Sequence, residues 1–136
     1  MDLGKALLAS ASGMRAQGSR LRVIAENLAN AQSTGAEPGS DPYRRKTVTF
    51  KNEFDRAAGV DRVKVNRTTM DQTPFQRQYD PSHPAADAGG YVLFPNVKPM
   101  IEMADMREAQ RTYEANLNVI GATRMLLQRT IDLLRA

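Results

Sequence analysis

Apolar residues recur at both ends of the chain at alternating four- and three-residue steps. In the C-terminal segment the series is Met103, Met106, Gln110, Tyr113, Leu117, Ile120, Arg124, Leu127, Ile131 and Leu134. This is the heptad spacing that keeps one stripe of a helix turned toward a partner helix. Gln110 and Arg124 are its polar interruptions. The N-terminal series, Leu3, Leu7, Ser10, Met14, Gln17, Leu21, Ile24 and Leu28, is weaker, because Ser10 and Gln17 break it and small residues flank it. The spacing predicts one helix from near Leu3 to Asn30 and a second from Met103 to Leu134. The second would be about 48 Å long at roughly 1.5 Å per residue. A small domain does not cover a stripe of that length with its own core, so the seam is expected to be completed by other chains.

Between the helices the pattern changes from a period near 3.6 to a period of two. Arg45, Thr47 and Thr49 alternate with Lys46, Val48 and Phe50, a strand with Val48 and Phe50 turned inward. Residues 60–66 repeat the pattern through Val63 and Val65, and shorter strands are expected at 75–79 and 91–94. Residues 31–42 carry Gly35, Pro38, Gly39 and Pro42 and read as a loop that stops the first helix. Residues 80–90, with two X-Pro steps and Gly89-Gly90, read as an ordered turn. The fold class is therefore α+β: long terminal helices forming an antiparallel coiled-coil-like pair around a small β-rich insertion. The segments are 1–35, 36–99 and 100–136. Gly4, Gly13 and Gly18 each cost the first helix about 1 kcal/mol relative to Ala. Added to the cost of nucleation, they make part of that segment expected to become helical only when packed.

Composition limits the core. The chain has 136 residues, 41% of them hydrophobic, with four Phe, four Tyr and no Trp, so stability is expected to lean on partners. The net charge of +4 favours acidic partners but is not gathered into one run. With no cysteine, disulfides, thiolate metal sites and a Cys nucleophile are excluded. No apolar run approaches the roughly 20 residues that span a bilayer. Residues 1–13 lack a continuous apolar stretch and do not read as a cleavable secretory signal.

Candidate chemistry is sparse. His83 is the sole histidine, and Asp80, His83 and Asp87 share a Pro-bounded loop. No second His, Cys or clustered carboxylate completes a metal shell, so Asx-turn hydrogen bonding is the expected role. Neither a Gly-x-Ser-x-Gly elbow nor a phosphate-cradling Gly turn occurs, and the reading is of a non-enzyme with no cofactor. Tyr43-Arg44-Arg45-Lys46, with Arg56, Arg62, Lys64 and Arg67, makes the first strands basic. Lacking a groove-reading helix or a stacked aromatic platform, this face is expected to meet acidic residues of neighbouring subunits, not nucleic acid. Met100, Met103, Met106 and Met125 suit either an adaptable contact surface or irregular core filling.

The densest motif closes the first helix: Glu26-Asn27-Leu28-Ala29-Asn30-Ala31, followed by Thr34-Gly35. Asn27 and Asn30 share a helical face. They read either as an ordinary helix terminus, with Asn30 and Gly35 satisfying end carbonyls, or as amides that fix register against neighbouring subunits. Together with Ser12-Gly13-Met14, Tyr79-Asp80-Pro81, His83-Pro84, Asp87, Gly90-Tyr91, Pro95-Asn96-Val97 and Tyr113-Glu114-Ala115-Asn116, this motif resembles the flagellar basal-body rod proteins. The Tyr-Asp-Pro to Pro-Asn-Val stretch points to a short proximal-rod subunit. Gln32, Ser33 and Ala36 depart from the family's usual loop residues. The resemblance implies a structural axial subunit, exported unfolded through the flagellar type III apparatus. Its terminal helices would pack into the inner layer of a tube, with the β-rich part outside. Partners implied are other rod subunits, further copies of the chain, and the export gate or MS-ring at the rod base. The expected interface residues are Leu21, Ile24, Asn27, Leu28, Asn30, Tyr113, Asn116, Leu117, Ile120, Leu127 and Ile131. From charge and periodicity alone, a basic coiled-coil adaptor for a soluble protein or nucleic acid is the alternative.

Overall fold

Helix α1 (Leu3–Ala29) opens the chain. The computed structural model describes residues 2–135. The Asp2 side chain starts α1 as an N-cap, its Oδ1 accepting from the amides of Gly4 and Lys5 at 3.0 and 3.3 Å, which satisfies two donors with no intrahelical partner. The helix is unbroken despite its three glycines. At its end the Asn30 amide donates to the Glu26 carbonyl, as expected for a helix terminus. Gly35 takes no part in that cap and instead sits against Ser40.

Strands β1 (Lys46–Asp55) and β2 (Val60–Met70) form one two-stranded sheet, and β3 (Gln76–Tyr79) and β4 (Tyr91–Phe94) form another. The β1–β2 connection is closed by Asp55, whose side chain accepts from Ala57 and Ala58. Its carbonyl accepts from Gly59, the residue at φ +62°. In the second sheet Gln76 faces Phe94 and Tyr79 faces Tyr91, antiparallel. All four strands were expected, their division into two separate sheets was not, and β2 runs to Met70, past the alternation that ended near Asn66. Helix α2 (Pro99–Arg135) begins with proline at its first position, where the missing N–H costs nothing.

The chain divides into two compact units. The first comprises Met1–Leu21, Thr49–Arg67 and Arg107–Ala136, and the second Arg22–Val48 and Thr68–Met106. In the first unit the helices lie antiparallel, Gly13 beside Asn116 and Arg20 beside Glu108. Its buried residues are small: Ser10, Ser12, Ala16, Ala109 and Thr123. The hairpin is tied to α1 there by the Val63 amide donating to Ser12 Oγ at 3.1 Å. In the second unit the core is Ile24, Ala85, Val92, Pro95 and Val97, together with the buried polar residues Asn27, Asn96 and Glu102.

Candidate subunit interface

In the first unit, the side of α2 covered by its own chain carries Ala109, Tyr113, Asn116, Ile120, Thr123 and Leu127. Exposed on the same stretch are Gln110, Leu117, Arg124 and Ile131, with Val119, Met125, Leu126, Leu133 and Leu134. The heptad seam thus splits into its two rows. Tyr113, Ile120 and Leu127 turn toward the chain's own partner elements, and Leu117 and Ile131 stand in solvent, Leu117 being 49% exposed. The inner row is completed by Ala109, Asn116 and Thr123, small and polar residues that a search for apolar periodicity passes over. At the C-terminal end, Leu133 and Leu134 are 79% and 83% exposed. Leaving large apolar side chains in water is unfavourable.

In the second unit, Asn27 and Glu102 are each 1% exposed. The Asn27 amide nitrogen donates to the Lys46 carbonyl and to Glu102 Oε2, at 2.9 and 3.0 Å. Its oxygen accepts from the Lys46 amide and the Tyr43 hydroxyl, both at 2.9 Å. Glu102 Oε1 accepts from Arg45, whose guanidinium also reaches Asp71 at 3.2 Å and Asp105 at 3.8 Å. Asn96 ties the same region together, accepting from the Arg45 amide and donating to Asp71 and Thr73. Burial works against the charge on Arg45, but the Glu102 and Asp71 carboxylates outweigh it and hold the guanidinium above its ordinary value. The Tyr43 phenol is pushed up to about 12, by burial first and then by the carboxylates of Glu26 and Glu102. Asp71 is held low by the backbone N–H of Thr73 and by Arg45.

Of the residues expected at the interface, Leu117 and Ile131 are exposed. Leu21, Leu28, Asn30, Tyr113, Asn116, Ile120 and Leu127 are half-buried, and Ile24 and Asn27 are buried. Sequence reasoning missed Ile101, Val119, Leu126 and Leu133, which lie off the strict heptad, whereas Met100 and Met125, read there as contact surface or core filling, are exposed. It also missed the network around Glu102, for which the only sequence signal is an acidic residue in the first turn of α2.

Four of the basic strand residues make ion pairs within the chain, and Arg56 and Arg67 are exposed. Arg45 and Lys46 pair with Glu102 and Glu26, and Arg62 and Lys64 with Asp55 and Glu53. The reason is proximity: these carboxylates lie on the same hairpin or on the packed helices. Asp80, His83 and Asp87 make the Asx-turn contacts expected of them. Asp80 accepts from Ser82, His83 Nδ1 from Ala85, and Asp87 from Gly89 and Tyr91. Among the described residues no group of three or more His, Cys, Asp or Glu side chains is placed to hold a metal ion.

Two long terminal helices, a β-rich segment between them in the chain and large apolar residues left exposed on the longer helix define an α+β protein of the helix-ended structural kind. The family model for the flagellar basal body rod FlgEFG protein C-terminal region matches residues 88–133. A flagellar basal-body rod protein FlgC of Agrobacterium fabrum is 58% identical, over 92% of this chain and 90% of its own length. FlgC proteins of Aquifex aeolicus and Salmonella typhimurium are 39% and 38% identical, the first over 97% of both chains and the second over 90% of both. The chain belongs to the FlgC family of flagellar basal-body rod proteins. Among the described residues no helix is long and apolar enough to cross a membrane.

Proposed function

We propose that this chain is a non-enzymatic structural subunit of the proximal rod of the flagellar basal body, polymerising into a shaft that carries torque and encloses an export channel. The observation that carries the reading is the set of large apolar residues left exposed on α2, Leu117, Met125, Leu126, Ile131, Leu133 and Leu134, in water on a single chain of this family. A neighbouring helix removes that cost. Contacts that repeat without closing generate a tube, not a ring.

Segments 1–35 and 100–136 form the axial layer and 36–99 the outer part. The partners are other rod subunits, further copies of the chain and, at the rod base, the export gate and the MS-ring. Export runs through the flagellar type III apparatus. Leu117 and Ile131 make direct contacts, and Tyr113, Asn116, Ile120 and Leu127 border them. On α1, Leu21, Leu28 and Asn30 are half-buried interface residues, and Ile24 and Asn27, also assigned to the interface, are buried within the second unit. Each side chain fully covered by a neighbour contributes about 1.5–3 kcal/mol, so many contacts in parallel resist shear without covalent links.

Leu117→Asp tests this reading, because it places a charge where a neighbour must pack, at a residue that is 49% exposed in the isolated chain. The variant should keep the circular dichroism and melting temperature of the parent yet be missing from purified basal bodies. Normal incorporation would remove this side of α2 from the interface.

A further inference from the structure

Asn27 has no hydrogen-bonding capacity left for another chain. An asparagine amide offers two donors and an oxygen with two lone pairs, and all four are used by Lys46, Glu102 and Tyr43. The partners come from stretches 16 to 75 residues away in sequence. Facing Asn27, the Glu102 carboxylate is buried, while its neighbours along α2, Met100, Ile101 and Met103, are all exposed. Hydrophobicity alone would turn this helix the other way, with Ile101 and Met103 inside and the carboxylate in water.

We infer that Asn27 and Glu102 form a register lock, a matched amide–carboxylate pair that sets which side of the first turns of α2 faces inward and so presents Met100, Ile101 and Met103 to a neighbouring rod subunit. The second half of this inference rests on the assembly reading, and the first does not. A buried carboxylate is tolerated only with its charge and lone pairs matched, and here Asn27 and Arg45 supply the match. A helix rotated to bury Ile101 would leave the Asn27 amide and the Arg45 guanidinium without their acceptors. The polar pair therefore excludes the greasier packing, as a single buried polar residue selects register in a coiled coil. Asn27 is a positioning residue, and the motif that contains it acts first within the chain.

Asn27→Asp sets a second carboxylate against Glu102, in surroundings that also hold Glu26, Tyr43, Arg45, Lys46, Asp71 and Asp105. In the purified chain its unfolding constant at pH 7 should rise at least tenfold. The deficit should shrink as pH falls through the carboxylate range, and adding Glu102→Gln should recover most of it. If Asn27→Asp does not fold, Asn27→Ser and Glu102→Gln, singly and together, carry the test. The double variant should then be at least fivefold more stable than the product of the singles. Independent effects with no pH dependence would overturn the lock and leave the rod reading standing. Incorporation into basal bodies tests presentation: it should be lost in Asn27→Asp and restored by Glu102→Gln. Coupling in the purified chain with incorporation indifferent to both changes would overturn the role in presenting the methionines.

Discussion

Gly35 has no room for a side chain. A Cβ there would lie 2.1 Å from Ser40 Oγ and 2.5 Å from the Ser40 carbonyl oxygen, and the carbonyl cannot swing aside without opening the turn that Ser40 holds through Glu37. Gly18 is the opposite case, a helical glycine with nothing within 4 Å of the added carbon. Gly35→Ala should therefore destabilise the chain by about 1–3 kcal/mol, the usual cost of overpacking. Gly18→Ala should stabilise it by about 0.5–1 kcal/mol through helix propensity and a less flexible unfolded chain. Urea denaturation of the two variants checks both signs. Local pattern already put Gly18 in a helix and Gly35 in a loop, but the close approach of Ser40, five residues on, shows only in the structure.

At the scale of elements, the two helices pack through small residues. Gly13 brings α1 so near α2 that a Cβ on it would stand 3.0 Å from the Asn116 amide, and Ala16 and Ala109 are buried in the same unit. Ala109→Leu should cost about 1–3 kcal/mol by forcing the helices apart, whereas Ala122→Leu, on the exposed side, should leave the melting temperature within error. Equal effects would mean that the covered side of α2 is wrongly placed. This small-residue packing explains why the apolar seam of α2 is only half used within the chain. The inner contact takes Ala109, Asn116 and Thr123 beside Tyr113, Ile120 and Leu127, and Leu117, Met125, Leu126 and Ile131 remain exposed.

For the molecule as a whole, each unit draws on all three segments of the sequence, and α1, α2, β1 and β2 each contribute to both units. The second unit gathers charge into a region whose balance depends on pH. Asp71 is held below the ordinary carboxylate range, so its contribution is full above about pH 4 and is lost as pH falls through the lowered value. The Tyr43 phenol is raised to about 12, so its contribution is full below about pH 10 and is lost as pH climbs between those values. Urea midpoints measured across pH should fall on both sides. Asp71→Asn should flatten the acid limb, and Tyr43→Phe the alkaline one. An alkaline limb unchanged in Tyr43→Phe would assign that loss to other groups.

Element type followed from local pattern. The heptad steps marked both helices, alternation at 45–50 and 60–66 marked the long hairpin, and Pro and Gly marked the loops, because backbone preference and periodicity act over a few residues. The apolar surplus of the C-terminal helix was also written in the sequence, since a long stripe in a small chain exceeds what the chain itself covers. Which row of that stripe faces outward was a tertiary matter. It depends on Ala109, Asn116 and Thr123, whose small size matters only once α1 lies against them, and on Glu102 meeting Asn27 from 75 residues away. Complementary partners brought together over such distances leave no periodic trace, and their hydrogen bonds, not hydrophobicity, set the rotation of the opening turns of α2.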